Sequence, residues 1–357
     1  MLGLSTIIFA FLNLLAVAHK EPKSPHEIEV QRALQAAAYH CAPAIESFTA
    51  ARKREFARKV LGGQPNVPGY QQLFASETYE DLRPPTPYLD EAKQDGETLM
   101  GCTPISETHI QNNTCVLAPE VTEGPYYHTE GHPIRQNIAE LQDGLLLLLD
   151  IGVIDVETCQ PLPNVLVDIW QSNATGIYSG HPSPHPHLAK EEPQIGGKRS
   201  GLLSPYARTL SEETWLRGAW PTDKNGVAQF TTIFPGYYMG RATHIHTKVF
   251  PEWVPQPNGT FAAGRLSHVG QFFFEDEINL VIDKMWPYVT NPIRETRGRT
   301  RNWRDSLNIF EDAHGPEGKY NPVFKLHFIG GVISQGLVGY ITMGVNASSS
   351  YDNFLKA

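Results

Sequence analysis

The chain has 357 residues, 41% of them hydrophobic and 19% charged, with a formal net charge of −9. That length can bury a core as one large domain with appendages or as two domains, and the negative balance argues against a nucleic-acid partner. The 28 prolines and 30 glycines imply many turns and long loops, and so a β-rich fold rather than a helical bundle.

The opening stretch, MLGLSTIIFAFLNLLAVAHK, is apolar and uncharged up to Lys20. It is short for a membrane span, and Ala16-Val17-Ala18 gives the small-x-small pattern of a cleavage site. Residues 1–18 therefore read as a secretory signal peptide, with an uncleaved anchor as the competing reading. No later run is long enough to cross a bilayer, so the expected mature protein starts near His19, is secreted and extracellular, and is free of the membrane. Cys41, Cys102, Cys115 and Cys159 are even in number and lack CxxC spacing, which suits disulfides better than zinc and leaves three pairings open. Asn112, Asn173, Asn258 and Asn346 begin sequons, making a glycoprotein the expectation.

Ser24-Pro25-His26-Glu27 has capping-box spacing with proline at the first helical position. A helical stretch is predicted over 24–61, divided at Pro43 and stopped by Gly62-Gly63. Residues 64–110 carry Pro, Gly, Asp and Thr without a period and read as a long surface connection. The N-terminal region, 19–110, is thus expected to be helical and then extended.

From residue 145 the texture becomes strand-like: LLLLLDIGVIDV (145–156), NVLVDIWQ (164–171), GVAQFTTIF (226–234), THIHTKVF (243–250), VGQFFFE (269–275) and KLHFIGGVISQGLVGYITMGV (325–345). Turn chemistry such as TCQPLPN and TDKNG separates them. No helical pattern alternates with the strands, which argues against a βαβ sheet. The predicted fold is mainly β: a β-sandwich over 111–350 behind N-terminal helices, with a tail at 351–357. Segments 179–224 and 276–324 read as long loops of the kind that carry function.

Within RATHIHTKVF, His244 and His246 lie at i and i+2 of a strand and project to one face. Rings so placed can share a metal, although such a pair more often decorates a half-buried strand. Upstream, Tyr237 and Tyr238 follow a Pro-Gly turn, and VLVDIWQSNATGIYSG delivers Tyr178.

Together these stretches resemble the intradiol ring-cleaving dioxygenases, such as catechol 1,2-dioxygenase and protocatechuate 3,4-dioxygenase. One family signature runs apolar-acidic-apolar, six residues, then Gly-x-Tyr, as in Val167-Asp168-Ile169 and Gly176-Ile177-Tyr178. The other is Pro-x-x-Tyr followed by Arg-x-x-His-x-His, as in Pro235 to Tyr238, Arg241, His244 and His246. The likeness runs from about residue 115 to 280, TEGPYY (122–127) included, and secretion with N-terminal helices is closest to a fungal extracellular branch. The chain departs from the signature at Cys159, where the family favours Gly or Ser, and at Asp150, where it favours an aliphatic residue.

The resemblance implies one non-haem Fe(III) per chain, held by Tyr178 and His244 equatorially and by Tyr238 and His246 axially. Hard ferric iron favours anionic oxygen donors, and a phenol with an ordinary pKa near 10 deprotonates on a cation. The implied reaction is O2-dependent cleavage of a catechol between its hydroxylated carbons, giving a muconate-type diacid. Tyr238 would leave the iron as substrate binds, Arg241 would stabilise negative charge on the ring, and Gln271 would be a polar pocket residue. The bland alternatives are a surface salt bridge for Arg241 and a neutral strand position for Gln271. Tyr237 rivals Tyr238, but neighbouring extended residues point oppositely, and motif spacing favours Tyr238.

Two further clusters read as exposed loops: His181, His185 and His187 in HPSPHPH, where a second metal is the alternative, and Arg294, Arg297, Arg299, Arg301 and Arg304. Expected partners are catechols or plant phenolics and O2, with a possible homodimer. The rival readings are a non-catalytic β-sandwich that binds aromatic or cell-wall ligands and a secreted zinc hydrolase built on His244 and His246.

Overall fold

The computed structural model describes residues 25, 29, 40–60, 124, 126–128, 131–181, 212–307, 309 and 322–350. The expected signal peptide, Cys102, Cys115, Asn112, His185, His187 and the 351–357 tail lie outside the described residues. Pro25, Glu29 and His40 are helical, a turn falls at Cys41, and helix α1 runs Ala42–Val60. Pro43 thus divides the helical stretch by sitting in the first turn of α1, where its missing N–H is not needed.

Two four-stranded sheets face each other, so the chain is a β-sandwich and mainly β, as expected. One is ordered β4 (Val227–Ile233), β1 (Leu146–Asp155), β10 (Leu337–Val345), β9 (Lys325–Phe328); in it β1 and β10 run parallel and the other pairs antiparallel. The other is antiparallel throughout: β3 (Arg217–Pro221), β2 (Leu166–Trp170), β5 (His244–Phe250), β8 (His268–Phe273). A separate hairpin joins β6 (Trp253–Pro255) and β7 (Phe261–Ala263).

The core follows from the two-residue strand period. Leu147, Leu149, Ile151 and Val153 of β1 point inward, against Val167 and Ile169 of β2, Ile245 and Val249 of β5, and Phe272 of β8. The other face of β1 would meet water but for α1. Arg52 pairs with Asp150 at 2.8 Å and donates to Ile341 O and to the Thr342 hydroxyl. Cys41 is disulfide-bonded to Cys159, and Ile45 packs on Ile154 and Val156. The two positions that depart from the family signature, Asp150 and Cys159, are therefore the ionic and covalent anchors of α1. Cys159 takes φ 56°, a left-handed conformation that glycine adopts without strain.

Two segments expected to be loops carry regular structure. The 179–224 segment ends in edge strand β3, whose RGAWP sequence carries a glycine and a terminal proline tolerated at a strand end. The 276–324 segment opens with helix α2, Asp276–Ile282, too short for periodicity to reveal.

Candidate metal centre

Two interlocked loops set the position of the tyrosines. Tyr178 lies in the loop that leaves β2, and Tyr237 and Tyr238 lie between β4 and β5. The Gly236 N–H donates to Asn173 O at 3.0 Å. A Cβ on Gly176, which takes φ +83°, would stand 2.2 Å from Tyr237 O, and one on Gly236 would stand 2.4 Å from Ala174 O. Both glycines are thus steric requirements of the contact that holds the two tyrosine loops together. The Asn173 side chain belongs to the same knot: its Oδ1 accepts from the Thr175 and Ile177 N–H groups and the Thr175 hydroxyl, and its Nδ2 donates to Gln142. Asn258, by contrast, stands exposed in the β6–β7 turn, and Asn346 donates to Glu157.

The buried Tyr178, His244 and His246 converge with the partly buried Tyr238. His244 Nε2 lies 3.0 Å from His246 Nε2 and 3.3 Å from Tyr238 Oη. The Tyr178 ring meets Tyr238 edge-on at 5.5 Å and His246 at 6.0 Å. His244 Nδ1 donates to Ala242 O at 2.6 Å; a carbonyl only accepts, so the neutral ring carries its proton there and turns the Nε2 lone pair toward the cluster. His246 stacks on Trp170 at 4.7 Å, and Tyr178 stacks on Tyr126 at 4.4 Å. A Cβ on Gly124 would lie 3.7 Å from His246 Cε1, so Gly124 packs against the cluster. Tyr237 points elsewhere: its ring lies under the Arg299 guanidinium at 4.2 Å.

Burial pushes the Tyr178 phenol well up, the neighbouring Tyr238 adding to it. Burial likewise raises Tyr238, against the opposing charge of Arg241. Burial, and then Arg241, depresses His244; burial, and then His244, depresses His246. Without a cation the cluster is therefore neutral, with both phenols protonated and both imidazoles uncharged. The Tyr178 hydroxyl is buried and makes no well-formed hydrogen bond among the described residues, Tyr238 being its polar neighbour. Two phenol oxygens and two imidazole nitrogens, one with its lone pair already aimed inward, suit a hard cation that replaces the phenolic protons. Among the described residues no group of three His, Cys, Asp or Glu side chains is placed to share a metal.

Arg241 is buried beside the cluster rather than on the surface. Its Nη1 donates to Tyr238 Oη at 3.2 Å and its Nη2 to Gln271 Oε1. Gln271 sits opposite His246 in the β5–β8 register, and its Nε2 has no hydrogen-bond partner among the described residues. Asp305, which no motif spacing marks, accepts from Arg241 Nε at 3.0 Å. Burial disfavours the guanidinium charge, but Asp305 together with Tyr238 and Tyr178 more than offsets it and the pKa is raised. The arginine-rich segment is only partly solvated: Arg299 pairs with Asp283 and donates to the Thr243 hydroxyl. His181 is buried, edge-on to Tyr126 at 4.8 Å.

No protein-family profile matches the chain. A catechol 1,2-dioxygenase from Acinetobacter baylyi is 29% identical over 142 residues, which are 38% of this chain and 42% of that enzyme; the match thus spans less than half the length of that curated relative. A solved structure described as an intradiol ring-cleavage dioxygenase from Tetranychus urticae superposes with a TM-score of 0.50 at 28% identity, covering 67% of this chain and 98% of that one.

Proposed function

We infer, from the premise that the chain belongs to the intradiol ring-cleavage dioxygenase family, that it is a secreted non-haem Fe(III) enzyme opening catechol-type rings with O2 between the two hydroxylated carbons, to give muconate-type diacids. The observation that carries the reading is the convergence of Tyr178, Tyr238, His244 and His246 beside a buried arginine.

These four side chains would hold one iron per chain, and the bound ion would supply Lewis acidity and withdraw electron density from the catecholate so that O2 can react with the ring. Tyr238 Oη is placed to take a proton from a catechol hydroxyl and to keep its hydrogen bond to Arg241 Nη1. Arg241 then supplies positive charge where the ring becomes negative, at a site with little water to screen it. Gln271 orients the far end of that guanidinium. Trp170 and Tyr126 hold His246 and Tyr178 by stacking. Secretion is supported by the cleavage pattern at Ala16–Ala18 and by the Cys41–Cys159 bond, which persists in an oxidising compartment.

The test is O2 uptake against a panel of catechols, with metal analysis of the same preparation. About one ferric ion per chain and a reddish colour are expected, since phenolate-to-iron charge transfer absorbs visible light. Tyr178→Phe weakens iron retention and shifts or fades the colour. Tyr238→Phe lowers turnover as well, and Tyr237→Phe keeps the colour. A colourless, zinc-bearing protein with no O2 uptake overturns the reading in favour of a hydrolase or a binding module.

A further inference from the structure

We propose that Asp305 is a positioning residue for this reaction, fixing the Arg241 guanidinium so that Nη1 faces Tyr238 and Nη2 faces Gln271; the inference rests on the dioxygenase reading. Asp305 lies 64 residues from Arg241 in sequence and is 2% exposed. Its two carboxylate oxygens lie 3.1 and 3.0 Å from Arg241 Nε. They also accept the Ala242 N–H at 2.7 Å and the Leu307 N–H at 3.0 Å. One carboxylate therefore binds the guanidinium and the backbone two residues before His244.

The guanidinium is planar and rigid, so anchoring Nε sets the direction of both Nη groups. A buried cation also needs a counter-charge with good geometry to remain charged and in place. Asp305 is itself braced: Asn302, in the preceding helical turn, donates through Nδ2 to Phe274 O at 2.8 Å and through its N–H to Asp276 at 3.1 Å. Electrostatic stabilisation of a developing charge depends on donors held in place beforehand. The residues 302–305 supply that hold from outside both ligand-bearing loops.

The experiment compares wild type, Arg241→Ala, Asp305→Asn and the double variant for iron content, thermal midpoint, affinity for 4-nitrocatechol followed by absorbance, and O2 uptake with catechol. Asp305→Asn is expected to keep its iron and its nitrocatechol affinity while kcat falls about 100-fold, a loss like that of removing an oxyanion donor. In the Arg241→Ala background the same change is expected to alter kcat by less than about threefold, because coupled residues are not additive. Wild-type kcat in Asp305→Asn, loss of its iron, or fully multiplicative losses in the double variant overturns the assignment. Should Asp305→Asn alone fail to fold, the double variant decides: removing both charges leaves neither uncompensated, so it folds and matches Arg241→Ala. A double variant that unfolds where Arg241→Ala folds shows Asp305 to be a backbone clamp and overturns the proposal. No O2 uptake by wild type removes the dioxygenase reading itself, whereas equal uptake by wild type and Asp305→Asn removes the Asp305 assignment alone.

Discussion

Arg241 shows how the chemistry of one residue depends on its neighbours. Its charge is buried, offset by Asp305 and aimed at Tyr238 and Gln271, so its part in the proposed reaction is to act on developing negative charge rather than to hold a metal. Arg241→Ala is expected to keep iron but to lower kcat about 100- to 1,000-fold; steady-state kinetics alongside metal analysis checks this, and an unchanged rate would mean a structural role. The i and i+2 spacing on a strand made the two imidazoles legible as a pair on one face, whereas the set of four was legible only through the resemblance to the dioxygenase signatures. Divergence of neighbouring extended residues required one of Tyr237 and Tyr238 to face away, and the choice of Tyr238 came from the motif spacing. Asp305, Trp170 and Tyr126 were not legible as supports. Asp305 reaches Arg241 only through tertiary packing, and an aspartate inside an arginine-rich run reads as a solvated charge.

At the scale of elements, strands with clear alternation or long apolar runs were readable, while β3, β6, β7 and α2 were not. A five-residue edge strand with glycine and proline, two three-residue strands and a seven-residue helix carry too little pattern to separate from turns. Helix α2 has its own electrostatic consequence. Asp276, in its first turn, is pushed up by burial to about 6 despite the opposing charges of Arg301 and Arg299. An unfolded aspartate titrates near 3.9. Between these values the folded chain keeps a proton that the unfolded chain has lost, so stability falls as pH rises through the window, by about 3 kcal/mol at most. Asp276→Asn, whose oxygen can still accept the Asn302 N–H, is expected to raise the thermal midpoint at pH 7.5 and to leave it nearly unchanged at pH 3.5. Calorimetry of both proteins at both pH values checks the sign, and equal shifts at the two would refute it.

The whole molecule is held by contacts between distant parts of the chain. The Cys41–Cys159 bond closes a loop of 118 residues, and chain entropy puts its contribution at about 5 kcal/mol, with native strain reducing it. Cys41→Ser is expected to lower the thermal midpoint in non-reducing buffer by several degrees; an unchanged midpoint would show that α1 is held by Arg52 and its packing alone. The sandwich was legible in the strand run and turn chemistry, whereas the docking of α1 was not, because Asp150 and Cys159 each find their partner about a hundred residues away. The parallel pairing of β1 with β10 also has a meaning for synthesis. β1 meets β4 early, but its other edge waits for a strand about 180 residues further along, which at ribosomal rates is on the order of 10 to 40 s. Over that interval a long apolar strand stands with one row of backbone groups open to any passing chain. A chain that stops short of Leu337 lacks the strand that closes this edge of β1.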